Sequence, residues 1–284
     1  MTMRNAKPLL AVLGYFALSF CGFSLLYRWG VPYNGGTIHI YAIPMMLLMA
    51  LYVCWVNGGQ PLHRRDFLRR KGDLGLFLLP YLALLMVAAS FLEAAILGRF
   101  SVDLVCMAVL TFLIGLCEEG LFRSCLLKDR GPGTARAVGL LLYSSVTFAV
   151  LHMVNVAGGL PVEAAVTQSL GSFPFGLVAG FLYLRTGHLT GLAFWHMSVD
   201  YKIFASMAAP LKSVLVVGEL VDLVMIAALV WGVVRTVQDG KKQRKAGADG
   251  GGGFRGKGSG TRPTERNAAK LQFPLAFSPG VCYT

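Results

Sequence analysis

The sequence predicts an all-α fold, a polytopic bundle of about eight transmembrane helices, and three observations carry that prediction. Hydrophobic residues make up 55% of the 284 and charged residues only 14%, well below the roughly 25% charged content of soluble domains. Apolar runs of the ~20 residues needed to cross a hydrocarbon core follow one another as far as Val234. Lys and Arg crowd the segments between some of those runs, as they do in the cytoplasmic loops of membrane proteins.

The first run, Pro8 to Tyr27, follows only Arg4 and Lys7 and so resembles a signal peptide. It is longer than the roughly 7–15 residue apolar region of such peptides and lacks a small-residue cleavage pattern, so a retained anchor is expected. Further spans are expected over Thr37 to Val56, Leu74 to Leu97, Val102 to Leu127 and Ala137 to Met153. Three more follow over Ala164 to Leu184, Leu189 to Met207 and Val214 to Val234. Arg64, Arg65, Arg69, Arg70 and Lys71 follow the second span, and Lys128, Arg130 and Arg136 follow the fourth. Basic loops stay on the cytoplasmic side, which places both chain ends there.

Beyond Val234 the composition changes. Residues 235–270 hold ten Lys or Arg against three Asp or Glu, more than half of the formal +12, and include the Gly250 to Gly253 run. This reads as a solvated basic tail that also suits anionic lipid head groups. Nucleic acid is not an expected partner, because no folded basic module accompanies the charge. The six cysteines, Cys21, Cys54, Cys106, Cys117, Cys125 and Cys282, have no C-x-x-C spacing and read as apolar packing residues.

Against this background Glu118, Glu119 and Arg123 stand out, since each charge costs about 2.5–3.5 kcal/mol at the centre of an inserted helix. Glu119 and Arg123 are four apart with the acid nearer the N-terminus, the favourable order for an ion pair. Glu118 lies about 100° around the helix and faces another neighbour. Downstream, Phe148 with His152 and His196 with Asp200 each share one helix face at i,i+4 spacing. A carboxylate and an imidazole in one cavity can hold and deprotonate a water. Asp200 can orient the His196 ring, or the two can face a developing oxyanion. Bracing of helix packing is the structural alternative for Glu119 and Arg123, and an internal His–Asp bond for His196 and Asp200. Lys202 is expected to pair with Glu219 or Asp222. His188 reads as a turn residue, and His39 and His63 are assigned no chemistry. Ser144 and Ser145 precede His152, but no G-x-S-x-G elbow accompanies them.

Glu118, Glu119 and Arg123 fit E-E-x-x-x-R, Phe148 and His152 fit F-x-x-x-H, and His196 and Asp200 fit H-x-x-x-N/D. In this order, each on its own apolar run, the motifs resemble the CAAX-protease and bacteriocin-processing family of intramembrane proteases, which includes the type II CAAX prenyl endopeptidase. The segment from Gly176 to Leu192, with Gly180, Tyr183, Thr186, Gly187 and Leu189, is similar to that family's approach to its last histidine. The resemblance spans roughly residues 100–205. It implies a helical core around a conical cavity and hydrolysis of a peptide bond near or within the membrane. It also implies that Glu118 and His152 activate water while His196 and position 200 support the oxyanion. The domain organisation expected is N-terminal transmembrane helices over 1–100, a protease-like core over 101–207, a last transmembrane helix over 208–238 and a basic Gly-rich cytoplasmic tail over 239–284.

One departure bears on mechanism. Many family members carry Asn where this chain has Asp200, and an ionised carboxylate, unlike an amide, has no proton to donate. Asp200 is then either kept protonated by apolar surroundings or acts through His196. The cofactor expectation is either none or Zn2+, the latter held by Glu118, His152 and His196 with one water position. The lack of an H-E-x-x-H helix favours a metal-free glutamate mechanism. At about 1.5 Å per residue, straight perpendicular spans would leave Glu118 and His152 on opposite sides of the bilayer centre, so the helices must tilt or break.

The expected function is therefore an intramembrane endopeptidase acting on a membrane-associated protein or peptide, in the bacterial inner membrane with both termini cytoplasmic. Two other classes remain open from the residues alone. A proton-coupled transporter would use the same acids and histidines, with Glu93, Glu219 and Asp222 as the further steps of a polar path. A non-catalytic scaffold or immunity protein would bind its partner and leave it uncut.

Overall fold

In lipid, a backbone must satisfy its own N–H and C=O groups, which leaves uninterrupted apolar sequence one local solution, the helix. The computed structural model describes residues 3–58, 74–127, 135–208 and 210–250. Eight helices run through them: α1 (Met3–Arg28), α2 (Ile38–Val56), α3 (Leu74–Ile96), α4 (Val102–Glu119), α5 (Ala135–Leu151), α6 (Val162–Thr186), α7 (Leu189–Ala208) and α8 (Lys212–Gly250). No strand occurs among the described residues. Arg64, Arg65, Arg69, Arg70, Lys71, Lys128, Arg130, His63, Cys282 and the tail beyond Gly250 lie outside the described residues.

Seven of these helices are long and apolar enough to cross a membrane, and the chain is an integral membrane protein. The exception is α7, expected as the seventh span. It carries His196, Ser198, Asp200 and Lys202, which lowers its hydropathy, while Leu189, Leu192, Ala193, Met197, Tyr201 and Ala205 are all buried. Such a helix is shielded by protein on the sides where its polar groups lie.

The chain divides into two units, Met1–Val237 and Gln238–Thr284. Within the first, α4 is the central helix, with 61% of its span buried against 28–33% for the other six apolar spans. Its most extensive neighbour is α7. Gly115 is why the two approach so closely: a Cβ there would run into the carbonyl oxygen of Ala193 and come within 3.1 Å of the Met197 amide nitrogen. Backbone cannot move aside as a side chain can. The α6–α7 turn is set by Gly187, whose φ of +67° is one that L side chains rarely adopt.

Two helices abandon α geometry where the motifs fall. After Glu119, α4 widens into a π turn over Gly120–Cys125, and after Leu151, α5 tightens into a 3-10 turn over His152–Gly158. Spans 4 and 5 thus each change helix type at their motif, and π turns inside α-helices often mark functional sites.

Several polar residues are absorbed by packing. Lys202 Nζ pairs with Asp222 at 2.6 Å and Glu219 at 3.4 Å, tying α7 to α8 as expected. Glu93 accepts the backbone N–H groups of Lys212 and Ser213 at 3.0 and 2.7 Å, satisfying donors at the start of α8. His39, which had looked isolated, is buried and pairs with Asp103 at 2.9 Å. Those two residues are 64 positions apart, so no local spacing announced the pair.

Candidate active site

The site is built outward from a buried ion pair. Glu119, the last residue of α4, and Arg123, in the π turn, are both 0% exposed. Arg123 Nε donates to Glu119 Oε2 at 2.9 Å and its Nη2 to Oε1 at 3.3 Å. Its Nη1 donates to Ser144 Oγ at 3.0 Å, and that hydroxyl donates to the Phe122 carbonyl at 2.8 Å. The guanidinium carbon also stands 5.1 Å from the Phe148 ring centre. A charge taken out of water is tolerated only when its hydrogen bonds are replaced, and this network replaces them. Ser144 is thereby a partner of the arginine, while Ser145 donates to Leu141 at 2.8 Å; neither is placed as a nucleophile.

The same carboxylate reaches α7. His196 Nδ1 lies 3.2 Å from Glu119 Oε1, so Glu119 joins Arg123 to the histidine. The other ring nitrogen, Nε2, faces Asp200 Oδ2 at 3.6 Å and Glu118 Oε2 at 3.8 Å. These separations exceed a direct hydrogen bond but leave strong Coulomb coupling. The shortest contact of the His196 ring is thus with Glu119, and Asp200, four residues on, faces the opposite ring nitrogen. Glu118 Oε2 is buried and has no hydrogen-bond partner.

His152 opens the 3-10 turn, with Nδ1 3.0 Å from the Phe148 carbonyl. A carbonyl only accepts, so Nδ1 carries the proton and Nε2 presents a lone pair. Glu118 and His152 are not hydrogen-bonded to each other. Phe148 contacts both halves of the site, edge-on to His152 at 5.1 Å and to His196 at 5.8 Å between ring centres. Phe175 closes this wall, stacked on Trp195 at 4.1 Å and tilted against His196 at 4.8 Å. Apolar walls of this kind lower the local dielectric and strengthen every charge interaction inside.

Other residues enter that motif reading did not single out. Tyr15 of α1 is 1% exposed, and its hydroxyl has no hydrogen-bond partner. Tyr33, between α1 and α2, accepts from Gln168 Nε2 at 3.2 Å, and Gln168 Oε1 accepts from Asn155 Nδ2 at 2.8 Å. A tyrosine in a short interhelical loop has no periodicity to mark it. His188 lies in the turn between α6 and α7, as expected, but it is buried, 1% exposed, and its Nδ1 accepts the Gly191 N–H at 3.0 Å at the start of α7.

Among the described residues, no three His, Cys, Asp or Glu side chains are arranged so that they could hold a metal ion. Cys21, Cys54, Cys106 and Cys117 are in no disulfide.

Fold and site together define a class: a polytopic helical membrane protein with a buried acid–histidine centre between broken helices. Residues 100–201 match the family model described as type II CAAX prenyl endopeptidase Rce1-like, the family that the motif order resembles. The match supports a CAAX-type intramembrane endopeptidase in general, and so a peptidase. Comparison with curated proteins and with solved structures gives no match.

Proposed function

We propose that this chain hydrolyses a peptide bond of a membrane-associated protein or peptide using a water activated by Glu118 and His152, without a metal. The observation that carries this reading is the buried Glu118 Oε2, which has no hydrogen-bond partner and lies 3.8 Å from His196 Nε2. In the proposed cycle Glu118 takes a proton from water as its oxygen bonds to the scissile carbonyl carbon, and the His152 lone pair holds the water's second hydrogen. Charge then develops on the carbonyl oxygen, beside His196. When the C–N bond breaks, Glu118 returns its proton to the departing nitrogen, leaving a carboxylic acid and an amine. Glu119 holds His196 in place throughout. The apolar walls orient the bound chain and keep bulk water from the tetrahedral species.

The polar groups that a transporter would need are engaged elsewhere: Glu93 caps α8, and Glu219 and Asp222 hold Lys202. The basic residues after the second and fourth spans support an orientation with both termini cytoplasmic. The test is cleavage of a panel of membrane-anchored reporter peptides, prenylated and unprenylated, by the full chain in lipid vesicles. Cleavage that Glu118→Gln abolishes is the expected result; equal cleavage by the variant overturns the assignment.

A further inference from the structure

We infer that Tyr33 donates a hydrogen bond to the oxyanion of the tetrahedral intermediate, a donor role that an ionised Asp200 could not fill. The inference rests on the endopeptidase reading above and adds a catalytic residue from outside the matched segment. Tyr33 is held from three sides. Its backbone N–H donates to the Gly158 carbonyl at 2.8 Å, its ring meets Phe23 edge-on at 5.3 Å between centres, and a Cβ on Gly158 would stand 3.0 Å from its own Cβ. The loop is therefore pinned to the 3-10 turn that begins with His152.

The hydroxyl is oriented as well as placed. Asn155 Nδ2 donates to Gln168 Oε1 at 2.8 Å, which turns the Gln168 amide so that Nε2 donates to the Tyr33 oxygen at 3.2 Å. A phenol oxygen that accepts this bond keeps its own O–H for another acceptor. Two hydrogen bonds thus link this hydroxyl to Asn155, three residues after His152 in the same 3-10 turn, and the charges of Asp200 and Glu118 act on it. Burial pushes the phenol up to about 12, and it remains a donor at neutral pH. An O–H fixed before the reaction stabilises charge that appears only in the transition state.

In the step itself the water oxygen bonds to the carbonyl carbon, the C=O π electrons move onto oxygen, and Tyr33 keeps its proton while sharing it with that oxygen. The electrons return as the C–N bond breaks. Gln168 is a positioning residue, and Asn155 positions Gln168.

The experiment uses the full chain in vesicles with the panel reporter that the wild type cleaves fastest. Tyr33→Phe keeps the ring and its contact with Phe23, and kcat is expected to fall about 100-fold or more with KM little changed, the size of effect seen when one oxyanion donor is lost. Gln168→Leu is expected to lower kcat about tenfold without a matching change in KM. With Asp200→Asn, which places an amide donor at position 200, the loss caused by Tyr33→Phe is expected to shrink, because the two donors serve one oxygen. Wild-type kcat in Tyr33→Phe, or a loss confined to KM, overturns the inference and leaves the endopeptidase reading intact if Glu118→Gln is inactive. If Tyr33→Phe is poorly produced, an unchanged kcat in Gln168→Leu overturns it in the same way. Full cleavage by Glu118→Gln overturns the endopeptidase reading itself and the role of Tyr33 with it.

Discussion

His196 Nδ1 stands 3.2 Å from Glu119 Oε1, across 77 positions of sequence, and the carboxylate that receives it also holds Arg123 at 2.9 Å. One acid thus does two things: it neutralises a buried guanidinium and sets the ring whose far nitrogen faces Glu118 and Asp200.

Removing Glu119 should therefore harm folding and chemistry together. Leaving Arg123 buried without its partner is expected to cost about 3–5 kcal/mol. Glu119→Gln should lower membrane abundance and the detergent melting temperature. Replacing both residues by Leu should restore much of the lost yield, since an apolar pair carries no desolvation penalty. It should not restore cleavage, because His196 would have lost its anchor.

Gly115 makes a separate prediction about how α4 and α7 meet. A Cβ there meets the Ala193 carbonyl and the Met197 amide, both backbone. Gly115→Val should force the helices apart at a cost of about 1–3 kcal/mol or more. It should also reduce cleavage more than yield, because Glu118, Glu119 and His196 are aligned by that contact. Yield and initial rate measured on the same preparations separate the two effects.

Much of this arrangement was legible in the sequence. Costly charges within apolar runs pointed to Glu118, Glu119 and Arg123, and i,i+4 spacing placed Phe148 with His152 and His196 with Asp200. Pairing within one helix follows from geometry that the spacing encodes. Pairing between helices does not. Glu119 with His196 and His39 with Asp103 depend on which helices are neighbours and at what height. The π turn after Glu119 and the 3-10 turn at His152 are tertiary outcomes in apolar sequence with no Pro within them. The same limit explains α7, expected as a span on length. Its polar residues are tolerated because α3 and α4 pack against it and α8 pairs with Lys202.

Phe148 connects Arg123, Phe122, Phe175, His152 and His196. Phe148→Ala should destabilise the chain by about 3–5 kcal/mol, the usual range for emptying a buried aromatic site. Phe148→Leu should retain more of the fold yet lose the ring face beside the guanidinium and both imidazoles. Thermal stability in detergent, set beside cleavage rate, should show the Leu variant nearer to wild type in the first than in the second.

Metal independence is checked by chelation. Cleavage by the full chain in vesicles should be unchanged by prolonged treatment with a strong zinc chelator. Loss of cleavage that added zinc restores would require Glu118, His152 and His196 to move together into a ligand set, and would replace the glutamate mechanism.

The central claim, that Glu118 activates the water of a proteolytic reaction, is tested most directly by comparing new peptide termini in membranes of cells producing the wild type or Glu118→Gln at equal abundance. Termini that arise only with the wild type are the predicted result, and they name both the substrate and the bond. Identical profiles across several growth conditions would contradict it.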